Sequence, residues 1–244
     1  MQTQSHQSTQ KMTMERKLYW GIGILSTLIL AGSFFMPGFI PSKPGDKHSD
    51  QNDLPWRIEH PAPDTTRIFG LTLGASSAGE AEQRFHEEGK PSLFKSPDGQ
   101  LVAEMFFEQV TLAGLKSRIV INIAVPAAEL QTMYERGLRI SGTGGSKKIT
   151  PATDDVARLR ALPISSLTYM PSVRLEEEIF SKRFGQPSQR VREKESGAVH
   201  WLYPQDGLDI TLGGEEKPVL QYVPPKDFGK LLQPLLDSGE VILI

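Results

Sequence analysis

The sequence predicts an α+β protein in which an N-terminal transmembrane helix precedes two similar helix–antiparallel meander–helix units. Three observations carry this expectation. One is an uncharged run over residues 18–40, and another is a set of matching anchors 96 to 98 residues apart. The third is the alternation, in each half, of helix-cap signals with strand-and-turn chemistry.

Length and composition bound the possibilities first. A chain of 244 residues, 38% hydrophobic and 23% charged, has room for one or two small folded units and is too apolar to be disordered throughout. Its 27 basic and 29 acidic residues leave a net charge of -2, which gives no overall attraction to nucleic acid. The absence of cysteine excludes disulfides, thiolate metal sites, a cysteine nucleophile and a lipid-bearing cysteine.

Residues 1–17 read as a cytoplasmic tail. The run from Leu18 to Ile40 holds 23 uncharged residues, enough to cross a hydrocarbon core of roughly 30 Å as a helix. Tyr19 and Trp20 at one end, and Phe34, Phe35 and Phe39 toward the other, suit the interfaces. Lys11, Arg16 and Lys17 precede the run, whereas residues 41–66 are richer in acidic groups, so positive-inside counting expects the N-terminus in the cytoplasm and the rest in the periplasm. A cleaved signal competes with this reading. Its small-residue site, Leu30-Ala31-Gly32-Ser33, would fall in the middle of the run, which favours an uncleaved signal-anchor in the inner membrane. Residues 41–66 carry Pro41, Pro44, Pro55, Pro61 and Pro63 among polar residues and predict an extended stalk. Without the first 40 residues the net charge is -4, so the outer part has no pull toward anionic lipid beyond the span itself.

The folded part divides into a first unit at 67–137, a connector at 138–165 and a second unit at 166–244. Glu80-Ala81-Glu82 with Gly89-Lys90-Pro91 matches Glu176-Glu177-Glu178 with Gly185-Gln186-Pro187, and Val125-Pro126 with Leu130 matches Val223-Pro224 with Phe228. Between these anchors Gly114-Leu115 answers Gly207-Leu208. In the first unit, Ser77 and Glu80 have capping-box spacing, Ala78, Ala81 and Phe85 share a face, and Gly89 is expected to stop the helix. In the second, Ser172 is the expected cap, acidic residues fill the first turns and Gly185 closes the helix. Strands follow each. Ser96-Pro97-Asp98-Gly99 and Asp206-Gly207 are turn signals, and Ile119, Ile121 and Ile123 line one face of a strand. Pro126 and Pro224-Pro225 then open the closing helices. Between the units, Ser141 to Lys148 predicts a flexible connector and Thr153 to Arg160 a short helix. The final Val241-Ile242-Leu243-Ile244 is expected to pair on a sheet edge, the alternative being a free tail read by strand addition.

A helix followed by a small antiparallel meander, present twice in one extracytoplasmic chain, resembles the BamE (SmpA/OmlA) lipoprotein family and the β-lactamase inhibitor protein modules. Gly70-Leu71-Thr72-Leu73-Gly74 leading to Gly89-Lys90-Pro91, and the stretch from Leu175 to Pro187, carry the likeness. The resemblance implies a role in protein–protein contact without catalysis. Those families use a lipid-bearing cysteine or disulfides, which this chain lacks.

Chemistry-bearing patterns are sparse. The histidines at 6, 48, 60, 86 and 200 have no metal-ligand spacing, so neither a metal nor another cofactor is expected. His86, near a helix C-terminus, reads as a solvated cap. Ser92 and Lys95 have S-x-x-K spacing without the companion motifs of serine acyl-enzymes, and the glycines from Gly142 lack phosphate-loop spacing. Phe106, Trp201 and Tyr203 are the candidate protein-contact residues, each on a strand face where an exposed ring would mark a binding surface. The expected function is a membrane-anchored envelope module that binds another envelope protein and has no catalytic activity. The alternative is a hydrolase built on His200 with Glu176, Glu177, Glu178, Asp206 or Asp209 between the units.

Overall fold

A computed structural model of the chain describes residues 51–143, 145–213 and 217–242. Among them eleven strands form one antiparallel sheet in the order β13-β9-β10-β11-β12-β8-β5-β4-β3-β7-β6, and a two-stranded ladder, β1 (Arg67–Ile68) with β2 (Leu71–Thr72), lies apart. The strands of the first half are β3 (Lys90–Lys95), β4 (Leu101–Leu112), β5 (Leu115–Ile123), β6 (Arg139–Thr143) and β7 (Ser146–Thr150). Those of the second are β8 (Ile164–Pro171), β9 (Gln189–Glu193), β10 (Val199–Tyr203), β11 (Leu208–Leu212), β12 (Val219–Tyr222) and β13 (Gly239–Ile242). Five short helices punctuate them: α1 (Ala78–Phe85), α2 (Ala127–Glu135), α3 (Thr153–Ala161), α4 (Glu177–Phe184) and α5 (Phe228–Ser238).

This architecture corrects the expected fold class. The two halves share one sheet, because β8 pairs with β5 on one side and β12 on the other. Ile164, Leu167 and Tyr169 of β8 are buried in a core that draws on both halves. A strand that apolar has its free energy minimum with both edges paired and its face covered, and that joins the halves. Among the described residues no helix is long and apolar enough to cross a membrane. The span expected over 18–40 lies outside them, as do the tail at 1–17 and residues 41–50. The transmembrane, signal-anchor and single-pass features are therefore withdrawn from the description of this fold.

Local chemistry explains most of the elements. The Ser77 hydroxyl accepts the Glu80 N–H at 3.2 Å and the Glu80 carboxylate accepts the Ser77 N–H at 2.6 Å, a complete capping box. Helix α1 ends at His86, whose φ of 53° is left-handed, rather than at Gly89. Gly89 is glycine for another reason: a Cβ there would sit 2.3 Å from the Met105 side chain. The second helix, α4, starts from Glu176 with no side-chain cap, and Ser172 plays no part. Gly114 and Gly207 take φ of 79° and 64°, and each opens a strand, β5 and β11.

The expected connector is more ordered than its composition suggests. Residues 139–150 form the β6–β7 hairpin, turned at Gly145 with φ of 84°, and Ile149 is fully buried. Backbone pairing against β3 needs no alternating pattern in the added strand, so Gly and Ser did not prevent it. Likewise the end of the Pro-rich segment packs on the domain: Tyr222 donates to the Pro55 carbonyl at 2.7 Å, and the Arg183 guanidinium lies 4.6 Å from the Trp56 ring centre. At the other terminus α5 continues through Pro234, and Gly239–Ile242 pairs with β9 as an edge strand.

Side chains alternate across the sheet and separate two cores. On the first face, the segment around Ile68, Phe69, Leu71 and Leu73 and helices α1 to α4 cover Leu93, Met105, Phe107, Ile119, Ile121, Tyr169 and Trp201. On the second face, α5 is the only helix among the described residues that packs, its Phe228, Leu231, Leu232 and Leu235 at helical spacing over Val191 and Leu202.

Candidate binding face of the sheet

Helix α5 covers only the β9–β10 end of the second face, which leaves β3, β4, β5 and β8 without a covering element there among the described residues. Register specifies what this open area presents. Ser92, Glu104, Asn122 and Ser166 are consecutive cross-strand partners, giving a polar row over four strands. On one side of it Phe94 pairs with Val102, and on the other Phe106 pairs with Val120 and Val120 with Thr168. Phe94, Val102, Phe106, Val120 and Met170 belong to neither hydrophobic core. The surface is therefore a polar stripe flanked by the apolar pairs Phe94–Val102 and Phe106–Val120, whose rows end in Lys148 on one side and in Lys90 and Thr168 on the other.

Glu104 lies at the centre of that stripe. It is 7% exposed, and among the described residues no hydrogen bond or ion pair reaches its carboxyl. Burial raises its pKa to about 7, with the Lys148 charge pulling in the opposite direction. Lys148 does not bond to it; its ammonium stands 5.7 Å from the Phe94 ring centre. Farther along the same face, Lys90 pairs with Glu108 at 2.6 Å, which holds the Glu108 carboxyl below its usual range.

The α5 end of the face has the opposite character. His200 Nδ1 is 2.8 Å from Asp209 and Nε2 is 3.1 Å from Glu193, with the Thr211 hydroxyl 3.3 Å from Nδ1. Burial alone would lower the imidazole pKa, but the carboxylates of Asp209 and Glu193 outweigh it and raise the value to about 10. Glu193 is correspondingly held below its usual range by the bond from His200. With both ring nitrogens donating to carboxylates, the imidazolium has no lone pair with which to accept a proton. It acts as a clamp joining β9, β10 and β11.

The other residues singled out from the sequence are dispersed. Phe106 is half-buried on the open face. Trp201 and Tyr203 are core residues of the first face, Trp201 beneath the Arg190 guanidinium at 4.1 Å and Tyr203 donating to the Gly185 carbonyl at 3.0 Å. Glu176, Glu177 and Glu178 are exposed at the start of α4, and Asp206 is 3.4 Å from His60, away from His200. Only Asp209 of the proposed carboxylate partners reaches His200; the second partner, Glu193, was not foreseen. Ser92 and Lys95 point to opposite faces, since Lys95 lies over the Tyr134 ring at 4.6 Å on the first face. His86 is exposed, while His6 and His48 are outside the described residues.

The sequence places Glu104 on the Phe106 side of its strand. It alternates with buried Ala103 and Met105 and flanks Phe106, so it had to share that ring's face. Its burial depends on the neighbouring strands, which the local pattern does not identify. Comparison with protein-family models, with curated proteins and with solved structures finds no match.

Proposed function

We propose that this chain is a non-catalytic binding module that engages another protein of the cell envelope through the open second face of its sheet. The observation that carries the reading is the row of partly buried apolar side chains around Phe106 that belongs to neither core. Apolar area left beside a covered core in this way is the usual mark of a contact surface. The resemblance to BamE-like and β-lactamase inhibitor protein modules points the same way, since its implied role is contact rather than chemistry. The doubly engaged imidazolium of His200 also favours a supporting role over catalysis.

Photo-crosslinking in the native host tests the proposal. Benzoylphenylalanine at Phe106 or Met170 is expected to give a discrete adduct with another protein, and the same group at Glu195, in the exposed β9–β10 turn, is expected to give none. Absence of an adduct from both face positions would overturn it.

A further inference from the structure

We infer that the polar stripe on the open sheet face is a receptor for an arginine side chain of the partner, with Glu104 as its counter-ion. The inference rests on the binding reading above and adds the chemistry of what is bound. Glu104 is buried without a hydrogen-bond partner among the described residues, which is the unfavourable half of an ion pair. Its neighbours in register, Ser92, Asn122 and Ser166, bring further side-chain acceptors along the same line. None of these three side chains makes a hydrogen bond among the described residues.

The dimensions suit the group. Strands about 4.8 Å apart make the row roughly 14 Å long, and the flanking apolar rows are roughly 7 Å to either side. A guanidinium presents five donors in one plane, enough to bond a carboxylate and an adjacent amide oxygen together, while its methylene stem lies on Phe106 and Val120. Lysine offers a compact point charge and cannot span the row in this way. Lys148 of the chain itself already occupies the compact-cation position nearby without bonding to Glu104.

The charged groups sharing the face are Lys148 on β7, Arg139 on β6, Lys90 on β3, Glu108 on β4, Lys116 and Arg118 on β5, and, at the α5 end, the Glu193–His200–Asp209 cluster of β9, β10 and β11. Glu108 stays ionised near neutrality because Lys90 holds it down. Glu104, titrating near 7, then dominates the coupling: arginine binds its ionised form and displaces its proton.

The test uses the full-length protein and the peptide acetyl-Leu-Arg-Leu-amide, with the isosteric citrulline peptide as the uncharged control, followed by calorimetry in two buffers. The arginine peptide is expected to bind about tenfold more tightly at pH 8 than at pH 6 and to release about half a proton at pH 7. Glu104→Gln is expected to reduce its affinity at least fivefold and abolish the pH ratio. The citrulline peptide should show neither effect, and Lys148→Met should strengthen arginine binding. Equal affinities for the two peptides, no binding at millimolar concentration, or an unchanged pH ratio in Glu104→Gln would each overturn the assignment. The pH ratio in the unmodified protein needs no variant, so a misfolded substitution cannot mask the result. A Phe106 crosslink that persists alongside such a failure would leave the binding face standing and remove only its preference for arginine.

Discussion

Two buried ionisable groups occupy the same face of the same sheet and are handled in opposite ways. His200, at the end covered by α5, is ionised and enclosed by Asp209 and Glu193. Glu104, beyond the reach of α5, has no hydrogen-bonded counter-ion among the described residues, and burial outweighs the nearby Lys148 charge and drives it toward its neutral form. Where the chain supplies the counter-charge, the group stabilises the fold. Where it does not, the group costs stability, and such a cost is characteristic of surfaces completed by something else.

The sharpest way to break the comparison is His200→Leu. It strands the buried Asp209 carboxylate and the half-buried Glu193 carboxylate and is expected to destabilise the domain by about 3 kcal/mol at pH 7 in urea unfolding. In the unmodified protein, the His200 contribution should be complete below pH 6.5 and fall away as the pH rises through about 10, because the folded-state pKa is raised. The Glu193 contribution has the reverse sign: it is present above that group's ordinary range and lost as the pH drops through its lowered folded value. A flat stability profile between pH 7 and 10 would contradict the clamp.

Glu104→Gln is the mirror experiment. A carboxyl whose pKa rises from 4.5 to about 7 on folding opposes folding once ionised. The variant should therefore be more stable than the parent by up to about 3 kcal/mol at pH 8 and equal to it at pH 4. Water reaching the open face would reduce that gain but not change its sign.

Leu231→Ala thins the cover over the His200 end. Leu231 is 9% exposed against Val191 and Leu202, so the expected cost is about 2–3 kcal/mol, read as a shift in the unfolding midpoint. The smallest effect is predicted for Val241→Thr on the β13 edge, where the side chain is 49% exposed: less than about 0.5 kcal/mol. A loss comparable to that of Leu231→Ala would mean that the edge strand carries part of the second core.

The alternation of Ala103, Met105 and Phe107 with Glu104 and Phe106 was legible locally, because a strand assigns its faces by parity alone. The capping box at Ser77 and Glu80 was legible for a similar reason, since its partners lie three residues apart. Helix α5 was only partly readable. Pro224-Pro225 marked where it opens, but its continuation through Pro234 to Ser238 follows from the packing of Phe228, Leu231 and Leu235 on Val191 and Leu202. The role of His200 was not legible, because Glu193 and Asp209 come together only through the registers of β9, β10 and β11.

Local spacing by itself determined the capping box at Ser77 and Glu80, the turns at Gly99 and Gly207 and the two-sided character of the strands, all of which depend on atoms within a few residues of one another, whereas the expected Ser172 cap and Gly89 stop did not form. Tertiary structure alone decided that β8 would join the halves into one sheet, that Trp201 and Tyr203 would face the core, and that α5 would cover one end of the second face and not the other. These outcomes depend on which strands become neighbours. That choice is made by the free energy of burying apolar surface across the whole sheet, and no short stretch of sequence contains it.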